Sequence, residues 1–115
     1  MTDSHTSEKK TFTYAEAQAL LPEVQSLTEE AAATVEQVKS DMLEQGASED
    51  KVREQVDRVV AAWARALVSR GLEVKGLWLV DFDNGSGYYC WRYPETGLHF
   101  YHSYEDGFQG RLRIQ

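Results

Sequence analysis

The sequence predicts an α+β protein in which an antiparallel helical hairpin packs on a three-stranded antiparallel β-meander. Three observations carry this expectation. Apolar residues recur at steps of three and four from Leu20 to Leu67, the period of a helix face. Beyond Gly71 the period shortens to two in segments rich in Val, Leu, Trp and Tyr, as strands require. Two turn sequences, Asp83-Asn84-Gly85-Ser86-Gly87 and Pro94-Glu95-Thr96-Gly97, divide that second region.

Residues 1–10 are polar and patternless, and are expected to form a disordered tail that includes His5. The domain proper spans 11–115, with the hairpin over 11–70. Thr13 and Glu16 have capping-box spacing, and Phe12 stands where a hydrophobic staple would. Pro22 is expected to interrupt the pattern, leaving a short helix over 14–21 and a longer one from Pro22 to Glu44. Leu20, Val24, Leu27, Ala31, Val35, Val38 and Met42 form one stripe, which Gly46 ends. Ser48 is a suitable N-cap for the next helix, with Glu49 and Asp50 near its positive end. Val52, Val56, Val59, Val60, Trp63 and Leu67 make the second stripe, and Arg70-Gly71 is a stop signal. The short link between the two helices makes them antiparallel.

The meander occupies 72–103, with strands expected over 72–82, 88–93 and 98–103, and 104–115 reads as a C-terminal loop. Three strands alone are marginal, so their apolar face should pack on the hairpin. The two helical stripes carry more apolar surface than a small sheet covers, so a homodimer through the helices is expected.

Composition excludes several function classes. At 115 residues the chain is one domain. A net charge of -7 argues against nucleic acid and against anionic membrane surfaces, both of which attract concentrated Lys and Arg. No apolar run approaches the ~20 residues that span a bilayer, and the first ten residues have no apolar signal core. One cysteine makes no internal disulfide, consistent with a cytoplasmic location. No nucleophile motif, phosphate loop or dinucleotide fingerprint is present. Asp81 to Gly85 begins like a calcium loop but lacks the distal glutamate at the required spacing.

The blocks FTYAEAQALLPEV, VDF, CWR and DGFQGR, with Glu95 and His102 between the last two, resemble the bacterial and archaeal family called domain of unknown function 2203. The resemblance covers nearly the whole chain. The positions it matches are Asp81, Cys90, Trp91, Glu95, His102, Gly107, Phe108, Gly110 and Arg111. That family often has glycine before LVDF, where this chain has Trp78. The family name implies no activity.

The candidate site lies in the meander. A two-residue second turn sets Tyr89 opposite His102, and a five-residue first turn sets Asp81 opposite Tyr89. Asp81, Tyr89 and His102 then form a catalytic row on the face with Leu77, Leu79, Trp91, Leu98 and Phe100, the helix-packed side. The other face carries Trp78, Val80, Phe82, Tyr88, Cys90, Arg92, His99 and Tyr101. Asp81 would fix the His102 tautomer, as a general base or a metal ligand needs. His99 and His102 point to opposite faces of a strand, whereas Cys90 and His99 become diagonal neighbours. The metal-ligand candidates are therefore His102, Cys90, His99 and Glu95, and the cofactor such residues could hold is a metal ion or haem. Arg111 could bind a ligand's carboxylate or phosphate, with pairing to Glu105 or Asp106 as its alternative use. The expected function is a small-ligand, metal or haem-binding protein, with enzymatic activity open, whose site surrounds His102. The alternative is a non-catalytic interaction module acting through the acidic hairpin, with Cys90 a buried hydrophobe and Asp81–His102 a structural pair.

Overall fold

The computed structural model describes residues 10–115. The expected tail, including His5, lies outside the described residues apart from Lys10. Two helices are followed by an antiparallel sheet whose strands lie side by side in chain order. The class is α+β as expected, and the sheet has five strands among the described residues rather than three.

Helix α1 runs from Tyr14 to Glu44 without a break. Its capping box is complete: Glu16 N donates to Thr13 Oγ1 at 3.1 Å, and Thr13 N donates to Glu16 Oε1 at 2.9 Å. The break expected at Pro22 does not occur. Pro22 sits on the exposed side of the helix, and its fixed φ suits the helix, so the helix runs on at the cost of a backbone hydrogen bond. Helix α2 spans Glu49–Val68 with Ser48 as N-cap. The helices are tied by a buried relay in which Trp63 Nε1 donates to Thr28 Oγ1 at 2.8 Å, and that hydroxyl donates to Val24 O at 2.8 Å.

The segment expected to be one strand over 72–82 is two, β1 (Glu73–Gly76) and β2 (Leu79–Asp83). The turn between them places Trp78 at φ 59, the left-handed region that L residues adopt at a cost. The Trp78 ring packs edge-on against Trp63 at 4.8 Å, a contact that offsets part of that cost. Strand β3 is Gly87–Arg92 and β4 is Phe100–Ser103. The supposed C-terminal loop contains a 3-10 turn at Phe108–Gly110 and a short strand β5, Leu112–Arg113, that pairs with β4.

Register differs from expectation by one residue in both turns. Asp83 belongs to β2, because its own carboxylate supports the turn by accepting from Gly85 N at 2.9 Å. Asp81 therefore pairs with Cys90, and Phe82 with Tyr89. The connection from β3 to β4 runs through a cis Tyr93–Pro94 bond and is longer than two residues, so Tyr88 pairs with His102 and Tyr89 with Tyr101. A slip of one reverses the face of a strand. The helix-packed face carries Val80, Phe82 and Trp91, buried with Leu98 against Phe12, Leu21, Val24, Trp63 and Leu67. Asp81, Asp83, Tyr88, Cys90 and His102 lie on the opposite, outer face and are nevertheless buried.

Candidate functional site

The outer face is buried because the C-terminal segment crosses it. Ile114 N donates to His99 O at 2.7 Å. The Arg111 guanidinium lies 4.0 Å from the Phe100 and Phe108 ring centres and pairs with Glu95 at 2.9 Å. Tyr104 closes the other end, its hydroxyl donating to Asp83 Oδ1 at 2.7 Å.

Beneath this cover three donors converge. Ligand atoms of Asp81, Cys90 and His102 all lie within 4.8 Å of one another. Asp81 and His102 are not cross-strand partners. They reach each other diagonally across β3, over the small Cys90 side chain, which leaves room for the imidazole. Gly87 permits the close pairing of β3 with β4, since a Cβ there would stand 2.6 Å from the His102 carbonyl oxygen.

His102 Nε2 is 2.9 Å from Asp81 Oδ2, and Nδ1 is 2.8 Å from Ser103 O. Both ring nitrogens thus face oxygens that accept only, since a backbone carbonyl has no proton to give and an ionised carboxylate has none either. A neutral ring, with one N–H, can donate to only one of these two oxygens. Asp81 is 1 % exposed, and its second oxygen, Oδ1, has no hydrogen-bond partner among the described residues. Lys75 Nζ is 3.6 Å from Asp81 Oδ2, 3.4 Å from Glu73 Oε1 and 4.0 Å from the Tyr88 ring centre. Burial pulls the Lys75 ammonium down, but Asp81, Tyr88 and Glu73 outweigh it and raise it above its ordinary value. Burial, and after it the Asp81 carboxylate, pushes the Cys90 thiol up to about 12, against a smaller opposing pull from Arg111. The thiol is therefore no free nucleophile at neutral pH.

The family model of the uncharacterized conserved proteins DUF2203 matches residues 10–114. The chain belongs to that family. No curated protein and no solved structure matches it.

The positions that carry the DUF2203 resemblance divide between the two faces: Phe12, Leu21, Val80, Phe82 and Trp91 are in the core under the helices, and the polar ones of the sheet lie on the outer face. Asp81, Cys90 and His102 form the donor cluster, while Glu95, Phe108 and Arg111 make the clamp that holds the cover. Several expected site residues are elsewhere. Tyr89 is on the helix side as expected, edge-on to Tyr14 at 5.3 Å, while the register slips carry Asp81 and His102 to the outer face; Tyr88 takes the place beside His102, with ring centres 5.3 Å apart. His99 is not part of the donor cluster, since Cys90 pairs with Phe100 and the imidazole of His99 lies against Gly97. Glu95 is not a ligand in this arrangement: Oε1 accepts from Arg92 N at 2.9 Å, and both oxygens engage Arg111. Arg111 accordingly pairs with Glu95, not with Glu105 or Asp106. Lys75, Asp83 and Tyr104 were not expected at the site. Alternation along β1 and β2 could have placed Lys75 and Asp83 there, once the turn at Leu77–Trp78 was known.

Proposed function

We propose that this DUF2203 member is a metal-binding protein that holds a divalent transition-metal ion between Asp81, Cys90 and His102. The observation that carries the reading is the pair of His102 contacts. With Nδ1–H donated to Ser103 O, the Nε2 lone pair is turned toward Asp81 and Cys90, the orientation in which histidine ligates metals. A second proton on Nε2 would satisfy the ring alone. A metal would also satisfy Asp81 Oδ1 and give the buried thiol a role, since a coordinating metal draws off its proton. One carboxylate, one imidazole and one thiolate suit zinc or a neighbouring divalent ion, and magnesium or calcium poorly. Ligands of tetrahedral zinc stand roughly 3.3–3.8 Å apart at normal bond lengths, so side-chain rotations of about 1 Å would close the cluster.

Three protein ligands leave a fourth position for an exchangeable group. A pocket of about 320 Å³ lined by Asp81 and His102 gives access to it. Haem fits this reading poorly, because Nε2 ends on a carboxylate.

Elemental analysis of protein purified without chelator tests the proposal. A single equivalent of zinc, cobalt, copper or iron is expected, lost in His102→Ala, weakened in Cys90→Ser and kept in His99→Ala, with circular dichroism of the variants unchanged. Metal-free protein that also takes up no zinc in equilibrium dialysis would leave Asp81–His102 as a structural pair.

A further inference from the structure

We propose, resting on the metal reading above, that the open position of this site takes a small monoanionic carboxylate, with Lys75 as its second anchor. Asp81 Oδ2 lies 3.6 Å from the Lys75 ammonium. An ion bound to Asp81 would therefore stand beside the Lys75 ammonium, which lines the same pocket as Asp81 and His102. A carboxylate at the open position would ligate the ion through one oxygen and accept from Lys75 Nζ through the other. Lys75 is held in place for this by Glu73 and the Tyr88 ring, so little side-chain freedom remains to be lost on binding.

Charge sets the class of anion. The pocket wall carries one cation, Lys75, and two carboxylates, Asp81 and Asp106. Asp106 is fixed by Ser103, whose Oγ donates to its Oδ2 at 3.0 Å, and it faces any ligand as a standing negative charge. A dianion such as phosphate meets more repulsion than a carboxylate carrying one charge. Leu79 and Phe108 complete the wall, which suits a short apolar substituent on the acid. The volume of about 320 Å³ lies at the small end of ligand pockets, roughly 300–1,000 Å³, and admits a small organic acid.

The test uses the full chain loaded with Co²⁺, whose visible bands report its ligands, and titrates it with acetate and separately with inorganic phosphate. Expected are a thiolate-to-cobalt band with Co²⁺ alone, a saturable change on adding acetate, and a weaker response to phosphate. Lys75→Met should keep the cobalt band and weaken acetate binding by about tenfold, and Lys75→Arg should restore most of it. Absence of the cobalt band overturns the metal reading and this inference with it. A normal cobalt band that acetate leaves unchanged, or an acetate affinity equal in Lys75→Met and the native chain, overturns the anion assignment alone. Phosphate binding as tightly as acetate overturns the monoanion assignment.

Discussion

Strands β2 and β3 present two faces that are both buried and chemically opposite. Toward the helices, Val80, Phe82 and Trp91 are within 1 % of complete burial and contribute apolar surface alone, with the Trp91 N–H satisfied by Glu95 O at 2.9 Å. Away from the helices, the residues between them are Asp81, Asp83, Tyr88 and Cys90, joined by His102 from β4, and these are buried too, none more than 6 % exposed. The inner face stabilises the fold at roughly 25 cal/mol per Å² of apolar area. The outer face removes carboxylates from water, which costs several kcal/mol per ion before partners repay it. An apolar layer under the C-terminal segment would hold the sheet at least as well. The contrast teaches that the outer layer carries a stability cost which the inner one offsets, a cost that the proposed metal site would explain.

If the two faces differ in this way, truncation should destabilise both, and only the outer face should regain stability when apolar groups replace its polar pair. Phe82→Ala removes a fully buried ring and should cost ~3–5 kcal/mol, read as a lowered denaturant midpoint. A cost below ~1 kcal/mol would mean the inner face is not the core. On the outer face, His102→Ala leaves Asp81 buried with only Lys75 beside it and should cost ~2–4 kcal/mol in metal-free protein. The double replacement Asp81→Leu with His102→Phe should recover most of that loss or exceed native stability, because apolar groups replace a buried ion pair. The same double variant should bind no zinc. A double variant as unstable as His102→Ala would show instead that the pair is structural.

A smaller effect follows from the thiol. Cys90 is raised from 9.0 to about 12 in the folded protein, so folding favours its protonated form. The stability this contributes is complete below the unfolded value and is lost as pH rises through the window from 9.0 to about 12. Denaturation of metal-free protein across that window should show the native chain losing stability relative to Cys90→Ala, with the difference constant below pH 9. A constant difference throughout would place the thiol in a more polar setting.

The two regions were not equally legible in the sequence. Helices announce themselves through period and caps, and Thr13, Glu16, Ser48 and Gly46 marked their ends. Pro22 misled because a proline on an exposed helix face costs one hydrogen bond and need not end the helix. The sheet was harder. Leu77-Trp78 carries no turn residue, yet the chain reverses there with Trp78 at φ 59, where the family often has glycine. Strand β5 is two exposed residues, with no alternation to detect. One-residue slips in both turns then parted Asp81 and His102 from Tyr89, which kept its helix-side face, and set Tyr88 beside them. Asp81 and His102 meet all the same, since slips in both turns sent their strands to the outer face together, and Cys90 is small enough to let the ring pass. Lys75 remained invisible because its strand was read as part of another.

X-ray absorption at the zinc edge of the zinc-loaded chain tests the central claim most directly, since it reports ligand type and distance without relying on activity. Coordination by Asp81, Cys90 and His102 predicts one sulfur at about 2.3 Å, with nitrogen and oxygen neighbours at roughly 2.0–2.2 Å. It also predicts loss of the sulfur shell in Cys90→Ser. A first shell of nitrogen and oxygen alone in the native chain would contradict the account.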